Sequence, residues 1–436
     1  MKDSCKDCNP RGVSRRNMLG YGLGGFLGFA AARQADLFGA PSLEMFVPQD
    51  GTATTRASAK ACIVLWLAGG PATLDIWDPK EGRDTGGPTK GIDTNVSGIQ
   101  LADTMPTTAK VMDKIAVVRS MTSREGSHER ARYLMHTGYV PTGTVVHPAM
   151  GSITAMEVGK KDLELPNFMS VNSPTEGAGF LPPEFSPFVV DRAGQPIKNL
   201  SLPSGVDDKR FRDRMNLLSS HEKEFATNHS CDEIDRHKNA YEKADKLMHT
   251  PLLRAFDLTK EKSDLQKAYG DNTFGKGCLL ARRLVQEGVK FVEVNLGGWD
   301  THQDNFNKVK QNCQSLDPGV ATLVRDMDSL GMLKETLVVV MGEFGRTPKI
   351  NANTGRDHYP KAWSMMLAGG GIQGGRVIGS TDKDGVDVKD RPVTVPDLLA
   401  TIYTCLGVNI AKKNISPLGR PITIVDNGIP VKELLS

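Results

Sequence analysis

Four segments concentrate the side chains that could do chemistry, and each sets histidine or a carboxylate beside glycine. Residues 69–79 read GGPATLDIWDP and present Asp75, while residues 127–138 read SHERARYLMHTG and present His128 and Arg132. Residues 297–302, GGWDTH, carry Asp300 and His302. Residues 342–348, GEFGRTP, carry Glu343 and are followed by GRDH at 355–358, which ends in His358. Imidazole and carboxylate together are a donor set for a divalent cation. Asp300, His302 and His358 would supply the core of a zinc, manganese or calcium site, with Glu343 or Asp75 completing it. A helix beginning near Ser127 would aim its free N–H groups, the positive end of its dipole and nearby arginines at an anion. His128 and Arg132 then share a face at i,i+4. Any one of these loop side chains could instead cap a turn. Their weight comes from being gathered by the strand ends of one sheet. His221, His229, His237 and His249 lie in a charged stretch and lack that setting.

The elements that must do the gathering are legible as apolar runs. Residues 61–67 (ACIVLWL) form a continuous run closed by Gly69-Gly70-Pro71, as expected for a strand buried on both faces of a parallel sheet. Residues 114–119, 291–296 and 337–341 are further strand candidates, and 364–367 a weaker one. Between the third and fourth, Asp317 is placed to N-cap a helix with Pro318 at its first position; Val320, Leu323, Val324, Met327 and Leu330 follow at helical spacing before Gly331. A helix carrying Leu279, Leu280, Leu284 and Val285 ends at Gly288. This succession of helix and strand predicts an α/β fold, a mostly parallel sheet covered by helices on both faces.

A chain of 436 residues can hold one large α/β domain with insertions, expected here over 60–436. Its formal net charge of +3 does not supply the basic surface that nucleic-acid binding needs. At the N-terminus, Arg15 and Arg16 precede a mildly apolar, glycine-rich run, the layout of a twin-arginine export signal within a leader of residues 1–40. That run is shorter than the roughly 20 residues that cross a bilayer as a helix, so no membrane span is expected in the mature chain, which is read as periplasmic or secreted. Cys5 and Cys8 form a pair inside the leader; the other five cysteines are scattered, unlike a disulfide framework. Residues 201–270 are rich in both charge signs and poor in glycine and proline, predicting a helical insertion with a solvated face. Residues 369–385 are glycine-rich without the order of a phosphate-binding loop, and Asp384-Gly385 points to a hairpin turn.

The strings LWLAGGPATLDIWDPK, SHERARYLMHTGY, GGWDTHQDN, GEFGRTP, GRDHYPKAW and GGGIQGG resemble the exported family called domain of unknown function 1501, from about residue 61 to the C-terminus. The resemblance implies the alkaline phosphatase and sulfatase superfamily, whose helix-covered sheet binds metals at strand ends. Aligning Thr137-Gly138 with the Thr-Gly of sulfatases puts Arg132 on the sulfatase arginine and His128 on the nucleophile. No Cys or Pro stands where a formylglycine enzyme needs them. Asp300 with His302 is similar to the first Asp/His metal pair, and His358 to the last histidine ligand. Glu343-Phe344-Gly345 sits where Asp-His-Gly usually follows a strand, and Phe344 cannot bind metal, so one ligand of a two-metal site is missing. The resemblance implies the fold and no established reaction; the leading reading beside it is a hydrolase-like protein that binds a phosphate or sulfate ester near one metal ion, with sulfated or phosphorylated polysaccharide as a candidate partner. Asp300, His302 and His358 would be ligands, Glu343 a ligand or base, His128 a nucleophile or acid/base group and Arg132 an oxyanion clamp. Two other readings stand beside it: a degenerate member that binds an anionic polysaccharide or a protein without turnover, and a structural envelope protein docking through its charged insertion.

Overall fold

In the computed structural model the described residues are 57–198, 200–202, 204–228 and 232–436. The arginine pair and leader lie outside them. Strand β1 (Ala61–Leu67) is wholly buried. Its side chains alternate between two cores, Ile63, Leu65 and Leu67 on one face of the sheet and Cys62, Val64 and Trp66 on the other. This two-sided burial is why the run contains no polar residue.

Eight further strands join it: β2 (Ile115–Thr122), β3 (Phe168–Val171), β4 (Phe188–Val190), β5 (Phe291–Leu296), β6 (Thr336–Met341), β7 (Trp363–Ala368), β8 (Arg376–Ile378) and β9 (Val393–Thr394). The order is β8-β2-β7-β6-β1-β5-β3-β4, with β9 also on β2. In register, Cys62 of β1 lies between Phe291 of β5 and Leu337 of β6. Only β7 runs against its neighbours, antiparallel to both β2 and β6; the other pairs in this sheet are parallel. The segment leading into β7 therefore arrives at the same sheet edge as the loops leaving β1, β2, β5 and β6.

Helices cover both faces, as the alternation of elements predicted. Helix α1 (His128–Thr137), α2 (Met150–Val158) and α8 (Val395–Cys405) pack Met135, Ile153, Leu399 and Ile402 onto the face of Trp66. On the opposite face, α6 (Thr273–Gln286) and α7 (Asn305–Ser329) bury Leu280, Leu284, Val320 and Leu323 against Ile63 and Leu65. In the chain, α3 (Asp208–Asn228), α4 (Asp232–His249) and α5 (Ser263–Tyr269) fall between α2 and α6, so the charged stretch is largely helical where it is described. Residues 209–239 fall in a compact unit separate from the one that holds the sheet.

The helix boundary at Asp317 is corrected. Helix α7 starts at Asn305 and runs through Pro318. Buried Asp317 caps a different element: its carboxylate accepts the backbone N–H groups of Thr107 (2.9 Å) and Thr108 (2.7 Å), at the head of the 3-10 turn Thr108–Lys114. An Asp-Pro pair reads as a helix start in sequence because the side chain's true acceptor role lies some 200 residues away. The hairpin at Asp384-Gly385 forms, pairing Ser380–Thr381 with Val388–Asp390. Cys62, Cys278, Cys313 and Cys405 are unpaired and buried.

Candidate metal centre

Loops from five places meet at the sheet edge because glycines let their backbones touch. Gly69 follows β1 with φ +117°, and a Cβ there would come within 2.6 Å of the Asp300 nitrogen. A Cβ at Gly355 would overlap the His302 carbonyl. Asp300 and His302 arrive on the loop after β5, Glu343 and Phe344 on the loop after β6, His128 at the head of α1 after β2, and His358 just ahead of β7.

The three imidazoles turn the same nitrogen inward. His302 Nε2 lies 3.0 Å from His358 Nε2 and 3.1 Å from Asp300 Oδ1. His358 Nε2 and His128 Nε2 each lie 3.4 Å from that oxygen. The outer nitrogens are tied to acceptors: His128 Nδ1 to Glu343 Oε1 (2.7 Å), His302 Nδ1 to Asp357 Oδ1 (2.7 Å) and His358 Nδ1 to the Gly126 carbonyl (2.8 Å). Carboxylates and carbonyls only accept, so each Nδ1 carries a proton and each ring is held with its Nε2 turned to the centre. Glu343 Oε1 also accepts the Gly69 N–H at 2.9 Å.

Buried Arg346 organises the floor. Its guanidinium donates to the carbonyls of Gly69, Gly70 and Arg356 and to Asp300 Oδ1 at 2.5 Å. Burial opposes ionisation of Asp300, but this guanidinium prevails and holds the carboxyl at about 2. His128 is raised above its ordinary value, chiefly by its bond to Glu343, against partial desolvation. Desolvation lowers His358, and Arg346 and His128 add to the effect.

Of the residues singled out in the sequence, His128, Asp300, His302, Glu343 and His358 come together. Two do not. Asp75 is buried with both oxygens engaged, by Arg356 (2.8 and 2.9 Å), Asn305 (2.7 Å) and Thr89 (2.9 Å), which leaves no lone pair directed at an ion. It is a structural anion. Arg132 shares a helix with His128, yet its Nε pairs with Glu176 Oε1 at 3.0 Å, away from the imidazoles. The guanidinium at the centre is that of Arg346. Sequence reasoning also passed over Asp357, although a carboxylate beside a ligand-type histidine is a common second partner.

A buried ion pair anchors α1 to β5. His136 donates from Nδ1 to the Arg132 carbonyl (2.8 Å) and from Nε2 to Glu293 Oε2 (3.0 Å), and its ring packs against Trp66. Two acceptors require both nitrogens protonated, so His136 is a cation in the core. Burial disfavours both charges, but the mutual attraction raises His136 above 6.5 and lowers Glu293 below 4.5. The histidine's stabilisation is full below pH 6.5 and fades as pH rises through its folded value. That of the glutamate is full above pH 4.5 and fades as pH falls through its own. Glu293→Gln should therefore lower the thermal midpoint between pH 4.5 and 6.5 and flatten its fall at higher pH. Midpoints measured across a pH series check this, and an alkaline slope identical to that of the parent chain would contradict it.

Distant fold likenesses are found among solved structures. The lipoteichoic acid synthase LtaP from Listeria monocytogenes is 8% identical, covers 85% of this chain and 76% of its own, and has a TM-score of 0.37. The PsFucS1 sulfatase from Pseudoalteromonas sp. is 14% identical, with 81% and 68% covered and a TM-score of 0.37. Alkaline phosphatase from the Antarctic bacterium TAB5 is 12% identical, with 81% and 99% covered and a TM-score of 0.34. Likeness this remote carries no reaction or ligand to this chain. No curated protein matches the sequence significantly. The motifs at the sheet edge and the strands that carry them lie inside residues 59–435, which match the family described as "Protein of unknown function (DUF1501)", and the chain belongs to that family.

Proposed function

We propose that this protein is an exported, metal-dependent, hydrolase-like protein that binds a phosphate or sulfate ester at the C-terminal edge of its sheet. One observation carries the reading: the Nε2 atoms of His302 and His358 lie 3.0 Å apart, and both lie within 3.4 Å of Asp300 Oδ1, three donor atoms gathered as a divalent cation requires. Asp300, His302 and His358 fit that cation, with their outer nitrogens already held by Asp357 and Gly126. Bound there, a divalent ion supplies a positive charge that polarises an ester oxygen or acidifies a water. The N-terminus of α1 adds unpaired N–H groups and its dipole on the same side. Asp300 and His302 are 51% and 44% exposed, an open setting that favours an ester borne on a sulfated or phosphorylated polysaccharide.

A second reading, binding without turnover, is favoured by Phe344. Its ring centroid packs 5.1 Å from that of His128 and 4.7 Å from that of His358, where the family resemblance called for a further imidazole ligand. Elemental analysis of the purified chain, with aryl phosphate and aryl sulfate assays, tests both. Bound ion with hydrolysis supports the first and absence of hydrolysis the second, and a metal content near zero after metal-replete expression overturns the first.

Among the described residues no helix is long and apolar enough to cross a membrane. Export rests on the N-terminal arginines. Replacing Arg15 and Arg16 by lysine should abolish translocation of the folded chain; unchanged periplasmic yield would contradict the twin-arginine route.

A further inference from the structure

We infer that His128, at the head of α1, is itself a metal ligand rather than a nucleophile, and that with Asp300, His302 and His358 it completes a one-ion centre of four side-chain donors. The inference rests on the reading that Asp300, His302 and His358 hold an ion.

Three observations converge on it. First, His128 Nε2 is shielded from solvent and makes no hydrogen bond, although it faces Asp300 Oδ1 at 3.4 Å. A buried polar atom with no partner is costly unless something absent from the chain itself fills the place. Secondly, the donor atoms of His128, Asp300 and His358 lie within 4.8 Å of one another, and His302 Nε2 joins them at 3.0 and 3.1 Å. A tetrahedral ion with bonds of about 2.0–2.1 Å sets its donors about 3.3 Å apart. Four of the six edges among these donors, at 3.0, 3.1, 3.4 and 3.4 Å, bracket that length. Thirdly, Glu343 fixes the ring. It is 4% exposed, binds His128 Nδ1 and the Gly69 N–H through one oxygen, and so holds the ring with Nε2 turned to the other donors. An attacking imidazole would aim this nitrogen at the ester; here it aims at the other donors.

The geometry also limits the centre to one ion. Phe344 is fully buried, and its ring lies against both His128 and His358, occupying with hydrocarbon the side on which a second ion would need a ligand. With four side chains around one ion, water or an ester oxygen joins only as a fifth ligand. No covalent intermediate forms on residue 128.

Cobalt(II) titration of the full chain, followed by visible absorption, reads the coordination directly. One equivalent should bind with a tetrahedral spectrum. His128→Ala should weaken binding beyond the roughly 10–100-fold that loss of a supporting partner costs, and should change the spectrum. Glu343→Gln should stay inside that range. In the cadmium-loaded parent chain, three imidazole nitrogens should show scalar coupling to the metal, a readout independent of whether any variant folds. Coupling to only two imidazoles, unaltered affinity and spectrum in His128→Ala, or uptake of a second equivalent would overturn the inference while leaving the ion site standing. A parent chain that binds neither metal would remove the underlying site instead.

Discussion

Arg356→Ala should lower the unfolding free energy by about 3–5 kcal/mol, the usual cost of breaking one side of a buried ion pair. Arg356 is fully buried and meets Asp75 in a two-point contact, Nε to Oδ2 at 2.8 Å and Nη2 to Oδ1 at 2.9 Å. Its remaining N–H groups reach the carbonyls of Thr347 (3.0 Å), Pro348 (2.6 Å) and Thr85 (2.7 Å), and Phe306 packs 5.3 Å below the guanidinium. Alanine would strand three carbonyls and leave Asp75 ionised in the interior with only Asn305 and Thr89. Most of the cost is that uncompensated anion. Adding Asp75→Asn to Arg356→Ala should therefore recover part of the loss, a non-additivity that denaturant titration of the four chains of a double-mutant cycle measures. A single-variant loss under about 1 kcal/mol would mean that water reaches Asp75.

Asp300→Asn should abolish practical uptake of divalent ions, with affinity falling by more than about 100-fold, whereas Asp357→Asn should cost about 10–100-fold because it only steadies His302. Asp300 is the one carboxylate oxygen approached by all three Nε2 atoms. Its amide analogue loses the charge and leaves buried Arg346 facing a neutral group, so the melting curve should fall too. Equilibrium dialysis with zinc or manganese gives the affinities. Equal losses for the two substitutions would deny Asp300 its place at the ion.

The sheet was legible because two-sided burial writes itself as unbroken apolar runs, and the loops of Asp300, His302 and Glu343 because each follows such a run through glycine. What escaped was interior charge. Nothing in the spacing of Arg346 and Arg356 marks them as interior, and the partner that draws Arg356 inward, Asp75, stands 281 positions away. For the same reason Asp75 was taken for a ligand and Asp317 for a helix cap. Arg132 was expected as an oxyanion clamp, but i,i+4 spacing speaks only about one helix, not about which neighbour, here Glu176, takes the side chain. The direction of β7 was equally silent, yet it is this reversal that delivers His358 to the site.

The unpaired cysteines give the fold a chemical tolerance. Burial holds Cys313 up to about 12 and Cys405 up to about 11, and raises Cys62 and Cys278 as well. Thiolate, the form that oxidants and disulfides attack, is therefore scarce at all four positions. Folding therefore withholds these four sulfurs from cross-linking, whereas the unfolded chain would expose every one of them.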